Sequence, residues 1–199
     1  MAEKKVGRDR SGGDRYPLPS VRAPIFPALF LTGLLVAGGT GQLRAGEQSE
    51  PDVTSSDGWV LGTIDIKADP ALILRLVRNP FEVARVEGRG VEVSVLLTNE
   101  DGCSDLYLEV PSVVLRLRYQ ERSCITQLGR HSILLESSDL KVYESEWWVE
   151  SIPGRTGATL RYRVRTVPSF PVPRRLVERI TKRSVRRMLD SLRTELEAP

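Results

Sequence analysis

Few side chains in this chain are equipped for acid–base, nucleophilic or metal chemistry. His131 is the sole imidazole among 199 residues; it follows Gly129-Arg130 and precedes an apolar run, so it reads as a surface or strand-start residue rather than a general base. No serine sits in a nucleophile-elbow pattern and no glycine loop is spaced to cradle a phosphate. One histidine with Cys103 and Cys124 falls short of the four ligands of a structural zinc, so no metal or cofactor is expected. The two cysteines leave two readings open. They are either a disulfide, if the chain reaches an oxidising compartment, or two small unpaired core residues.

The elements that must position these groups are mostly strands. Leu160, Tyr162 and Val164 alternate with Arg161, Arg163 and Arg165, and Tyr143, Ser145, Trp147 and Val149 alternate with Glu144, Glu146, Trp148 and Glu150. Successive side chains of a strand point to opposite faces, so each run has one dry and one wet side. Joined by the turn at Ile152 to Gly157, the two predict a hairpin whose outer glutamates face outer arginines. Upstream, Trp59 to Lys67 predicts a first strand. Asp69-Pro70 and Asn79-Pro80 are cap and first-turn pairs for two short helices, over Ala71 to Val77 and on to Val86. Strands are then predicted at Val91 to Thr98, Ser104 to Val110, Val113 to Tyr119, within His131 to Glu136, at Val142 to Ser151 and at Ala158 to Thr166. The stretch from Gln120 to Gly129 places no strand edge. After Pro173, Leu176, Ile180, Met188, Leu192 and Leu196 recur at helical spacing, giving a helix of about 24 residues. Its other face carries Arg179, Lys182, Arg183, Arg186, Arg187 and Arg193, either a solvated face or a contact for anionic lipid headgroups.

The net charge of +3 belongs to the N-terminal part. The first 45 residues hold seven Lys or Arg against three Asp or Glu, leaving 22 basic and 23 acidic residues beyond them. A body so balanced argues against nucleic-acid binding, which needs a basic surface on the domain itself. Basic residues from Lys4 to Arg22, an apolar run from Ile25 to Ala37 and a small-residue zone to Gly46 have the layout of an export signal. Residues 1–45 are therefore expected to be a signal peptide or an uncleaved N-terminal anchor, residues 46–57 a linker, and residues 58–197 the folded domain. An exported protein, periplasmic or extracellular, is the expectation.

The order of one strand, two short helices, six antiparallel strands and a long helix resembles the helix-grip fold of the START-like superfamily, also called SRPBCC or polyketide cyclase-like. Ile64 to Pro70 is similar to that family's first strand and acidic-Pro helix start, Trp147 to Glu150 to its late-strand tryptophan, and Val172 to Leu176 to its entry into the last helix. The resemblance implies an α+β fold in which a curved antiparallel sheet wraps the C-terminal helix around an apolar cavity. On the concave face this chain offers Val93, Leu115, Leu117, Trp147, Val149, Leu160, Tyr162 and Val164, and from the helix Met188 and Leu192, as candidate ligand-binding residues. Trp147 and Tyr162 stand out, because a buried indole NH or phenol OH needs a partner that a ligand can supply.

The expected function is binding of a hydrophobic small molecule or lipid. The alternatives are a polyketide cyclase or dehydratase-like enzyme, or an interaction domain with a filled core. An inward-facing acid would favour the enzyme, but Asp65 and Glu92 alternate with apolar neighbours in a way that places them outside, and Glu82 is the remaining candidate.

Overall fold

The computed structural model describes residues 50–88, 90–111, 116–154 and 156–198. The expected leader, residues 46–49 and Leu115 lie outside these. Eight antiparallel strands form one curved sheet, in the order β1-β2-β8-β7-β6-β5-β4-β3. The strands are β1 (Asp52–Ser56), β2 (Trp59–Ile66), β3 (Glu92–Thr98), β4 (Cys103–Pro111), β5 (Arg116–Ile125), β6 (Gly129–Glu136), β7 (Leu140–Ser151) and β8 (Ala158–Pro168), with helices α1 (Pro70–Arg78), α2 (Pro80–Glu87) and α3 (Arg174–Leu196). This is the α+β helix-grip architecture, with two short helices directly after the first hairpin, β1–β2.

Local chemistry explains most of the boundaries. The Asp69 carboxylate accepts from the Ala71 amide at 2.9 Å, and Asn79 Oδ1 accepts from Phe81 and Glu82, so both short helices begin where a side chain satisfies their first free N–H groups. Gly88 then closes α2 at a φ of 65°. On the outer face of β7 and β8, Glu146 meets Arg163 at 2.6 Å and Glu150 meets Arg161 at 3.1 Å, the cross-strand pairing that the alternation predicts.

Three sequence expectations are corrected. Residues 52–56, read as linker, form an edge strand that pairs with β2 through the two-residue turn Asp57-Gly58, both at positive φ. The strand expected to end at Tyr119 continues to Ile125, and is described from Arg116 on. In β3 the predicted shared face of Val91, Val93, Val95 and Leu97 breaks, because the register against β4 shifts between Val95 and Leu97. Both of those residues stand about half exposed on the sheet edge.

The core has two parts. The larger is built where α1 and α3 pack on β2, β7 and β8, with Ile66, Ile73, Leu160, Leu189 and Leu192 almost fully buried. Gly62 lets α3 come this close: a Cβ there would lie 2.5 Å from Val185 Cγ1 and 2.6 Å from Leu189 Cδ1. The smaller part, Leu106, Leu108, Tyr119 and Leu140, belongs to the other end of the sheet.

Candidate functional site

A cavity of about 510 Å³ lies where the two parts of the core meet, under α2 and the middle of α3. That volume is within the usual range of small-molecule sites, roughly 300–1,000 Å³. The sheet contributes Val93, Leu117, Trp147, Tyr162 and Val164 to its wall and α3 contributes Met188, all of them sequence candidates. Val149, Leu160 and Leu192 do not reach it. They share the faces predicted for them but are packed into the larger core, where α1 and the C-terminal half of α3 leave no space.

Two aromatic pairs line the wall. The Trp147 and Tyr162 rings, on register-paired residues of β7 and β8, have centroids 4.1 Å apart, and those of Tyr119 and Tyr143 are 4.8 Å apart. Tyr143 Oη donates to Ser145 Oγ at 3.2 Å. Burial pushes the phenols of Tyr119, Tyr143 and Tyr162 well above their ordinary range, so all three are neutral hydroxyls at physiological pH.

The polar floor of the cavity, Glu121 and Arg130, was missed by the sequence reading. Among the described residues five polar or charged side chains are buried, these two with Ser123, Ser132 and Ser145, and all lie on the three adjacent strands β5, β6 and β7. Ser132 Oγ donates to Ser123 Oγ at 3.1 Å. Glu121 and Arg130 both line the cavity, and both carry buried polar atoms without a hydrogen-bond partner among the described residues: Oε2 of Glu121, and Nε and Nη1 of Arg130. Burial raises the Glu121 carboxyl above the ordinary carboxylate range, while Arg130, Ser132 and Tyr143 pull it back. A signal for Glu121 was present. The alternation of Leu117 and Tyr119 against Arg116 and Arg118, continued past Gln120, turns Glu121 and Ser123 inward.

The other chemistry-bearing residues lie elsewhere. His131 is on the outer face, with Nε2 3.3 Å from Glu144 Oε1. Asp65 accepts from Thr159 Oγ1 at 2.7 Å, Glu82 pairs with Arg85, and Glu92 pairs with Arg116, so none of the three candidate acids enters the cavity. Cys103 and Cys124 stand opposite each other on β4 and β5, with an S–S distance of 2.08 Å that fits the disulfide reading of the pair. A second hollow of about 520 Å³ lies beside the β1–β2 turn and the start of α3, bordered by Trp59, Arg165, Phe170 and Glu178. Its Glu178 is already engaged by Ser55 and by Lys182. The first cavity, whose Glu121 and Arg130 carry buried polar atoms without a hydrogen-bond partner among the described residues, is the stronger ligand site.

This architecture is shared with several solved structures. The chain matches a START superfamily protein from Mycobacterium smegmatis with a TM-score of 0.62 at 15% identity, over 70% of this chain and 97% of that one. It matches the Zhui aromatase/cyclase from a Streptomyces species with a TM-score of 0.60 at 15% identity, over 70% and 93%. For human StAR-related lipid transfer protein 5 the TM-score is 0.57 at 12% identity, over 76% and 88%. No family model and no curated protein matches the sequence. At these identities the likeness establishes the fold: the chain has the START-like helix-grip fold.

Proposed function

We propose that this domain binds a hydrophobic small molecule or lipid in the cavity between the sheet and α3. The observation that carries the reading is a cavity of about 510 Å³, walled by aliphatic and aromatic side chains and reached by two buried charged side chains, Glu121 and Arg130, that keep Oε2, Nε and Nη1 without a hydrogen-bond partner among the described residues. A filled core has no use for such a floor, since each unpaired buried polar group costs about 1–3 kcal/mol. Two structural neighbours, a lipid transfer protein and an aromatase/cyclase, agree with a cavity that receives such molecules. Native mass spectrometry of protein purified from its own host, with extraction of the bound molecule, tests the reading. An adduct that survives purification is expected; a ligand-free mass together with no uptake of a fluorescent fatty acid would overturn it.

One observation favours the enzyme reading as a second. Glu121 is an acid inside the cavity with its carboxyl raised, and such a group can hold or deliver a proton to a bound substrate. Turnover of an aromatic polyketide that stops in Glu121→Gln would establish it.

Two further parts of the reading concern where the domain works. Arg174, Arg175, Arg179, Arg183 and Arg186 on α3 make no ion pair among the described residues, which suits a membrane surface bearing anionic headgroups. Export through residues 1–45 agrees with the Cys103–Cys124 disulfide, because such bonds persist in oxidising compartments. A reporter fused to residues 1–45 should leave the cytoplasm, and retention there would refute export.

A further inference from the structure

We propose that the polar floor of this cavity is a receptor for a carboxylate head group, held by Arg130, and that Glu121 takes up one proton from solvent as the ligand enters. The inference rests on the ligand-binding reading above and specifies its chemistry.

Arg130 enters the cavity from β6 and is 7% exposed. Its Nε and Nη1 are both buried without a hydrogen-bond partner among the described residues, and its charge acts on Glu121, whose carboxyl it lowers, without a direct hydrogen bond to it. A guanidinium in that condition is a planar donor awaiting acceptor oxygens, and a carboxylate is the matching planar acceptor. A phosphate monoester fits less well, for it brings nearly two negative charges to one guanidinium.

Charge balance then involves Glu121. With the cavity empty, Arg130 and an ionised Glu121 offset each other. A carboxylate ligand adds a second negative charge to the enclosed space, and like charges sharing a site raise the pKa of one of them. Glu121 is already the group most easily neutralised, because it is 2% exposed and burial has raised its carboxyl. Once protonated, it is a donor to the ligand, and Oε2 is the unpartnered atom that can serve. The other ionisable groups facing this space do not compensate. Tyr119, Tyr143 and Tyr162, on β5, β7 and β8, are held neutral by burial. Glu87 of α2 and Arg187 of α3 also border the cavity, one of each sign.

Isothermal titration of the full chain with dodecanoate and with dodecan-1-ol tests the proposal, since the two probes share a chain length and differ in the head. Each is measured near neutral pH in two buffers of different ionisation enthalpy. Dodecanoate should bind at least about tenfold more tightly than the alcohol and take up close to one proton. Its affinity should fall by about tenfold per pH unit wherever Glu121 is ionised in the free protein. Arg130→Met should remove the preference for the acid and keep the alcohol. Glu121→Gln, nearly isosteric and therefore the safer variant for folding, should bind dodecanoate with no proton uptake and a flat pH profile. Equal binding of acid and alcohol by the wild type would overturn the carboxylate assignment. Proton uptake that persists in Glu121→Gln would overturn the role of Glu121. If neither probe nor any other apolar ligand binds, the cavity reading falls with it; if only the alcohol binds, the head-group proposal falls alone.

Discussion

Val164 and Val149 make a like-for-like test of whether the cavity is open space. Both are inward-facing valines on adjacent strands, 5% and 8% exposed. Both belong to the larger core, but Val164 also lines the cavity and Val149 does not. Replacing either with phenylalanine adds the same volume. At Val149 nothing nearby can yield without strain, and overpacking of this kind costs about 1–3 kcal/mol. For a domain of this size that is a fall in melting temperature of roughly 2–12 °C, at about 2–4 °C per kcal/mol. At Val164 the ring has a cavity of about 510 Å³ to enter, so Val164→Phe should keep the melting temperature within about 2 °C of wild type. The same ring removes space from the ligand, and uptake of a fluorescent fatty acid should weaken at least about tenfold. Thermal denaturation followed by circular dichroism, beside the binding titration, reads both effects. Equal destabilisation by the two variants, with binding unchanged, would mean that Val164 is as tightly packed as Val149 and would refute the reasoning.

Three other perturbations have worked outcomes. Removing the Cys103–Cys124 bridge, which spans 21 residues, should cost about 3 kcal/mol and be read as a shifted denaturation midpoint; no shift on reduction would refute its contribution. Glu121 holds its proton more tightly in the folded chain than in the unfolded one, so its share of stability is present below the ordinary value of 4.5 and lost as pH rises through the folded-state value. Glu121→Gln should therefore melt above wild type near pH 8 with the gap closing toward about pH 4, and a gap independent of pH would count against a raised carboxyl. Reversing Arg183 and Arg186 to glutamate should weaken binding to phosphatidylserine vesicles at least about tenfold and leave neutral vesicles unaffected, whereas no difference would remove α3 from any membrane contact.

The sequence was most legible where a local signal is also the cause. Asp69, Asn79 and Gly88 act on amides and dihedral angles within a few residues of themselves, so both short helices begin and end where the residues say. The alternation in β7 and β8 carries the hairpin, its outer ion pairs and the inward set of Trp147, Val149, Leu160, Tyr162 and Val164. Alternation gives the face of the sheet, however, and not what lies over it. All four belong to the larger core, but Tyr162 and Val164 also border the cavity while Val149 and Leu160 do not, and that division depends on where α3 crosses the sheet. The edge strand β1 was hidden for another reason. Asp52, Thr54, Ser55 and Ser56 have a linker's composition because an edge strand with mostly exposed side chains has little apolar face to bury.

The floor of the cavity was obscured by a more specific conflict. In β6 the apolar Ile133 and Leu135 face outward, 41% and 42% exposed, while Arg130 and Ser132 face inward at 7% and 1%. A slip of one residue would exchange these faces and bury two aliphatic side chains, worth about 1.5–3 kcal/mol each, in place of a charge that costs several kcal/mol to bury. Hydropathy alone therefore argues for the opposite register. What holds the observed one is the turn before the strand, where the Thr126 amide donates to the Gly129 carbonyl at 3.0 Å. Arg78, from the last turn of α1, fastens that turn by donating through Nη2 to the Thr126 carbonyl at 2.6 Å and the Gln127 carbonyl at 2.8 Å. A residue 48 positions away from Thr126 thus helps to decide which face of β6 looks into the cavity. A strand held against its own hydropathy, with Arg130 aimed into the cavity rather than to the outer face, is the arrangement that the proposed carboxylate ligand would explain.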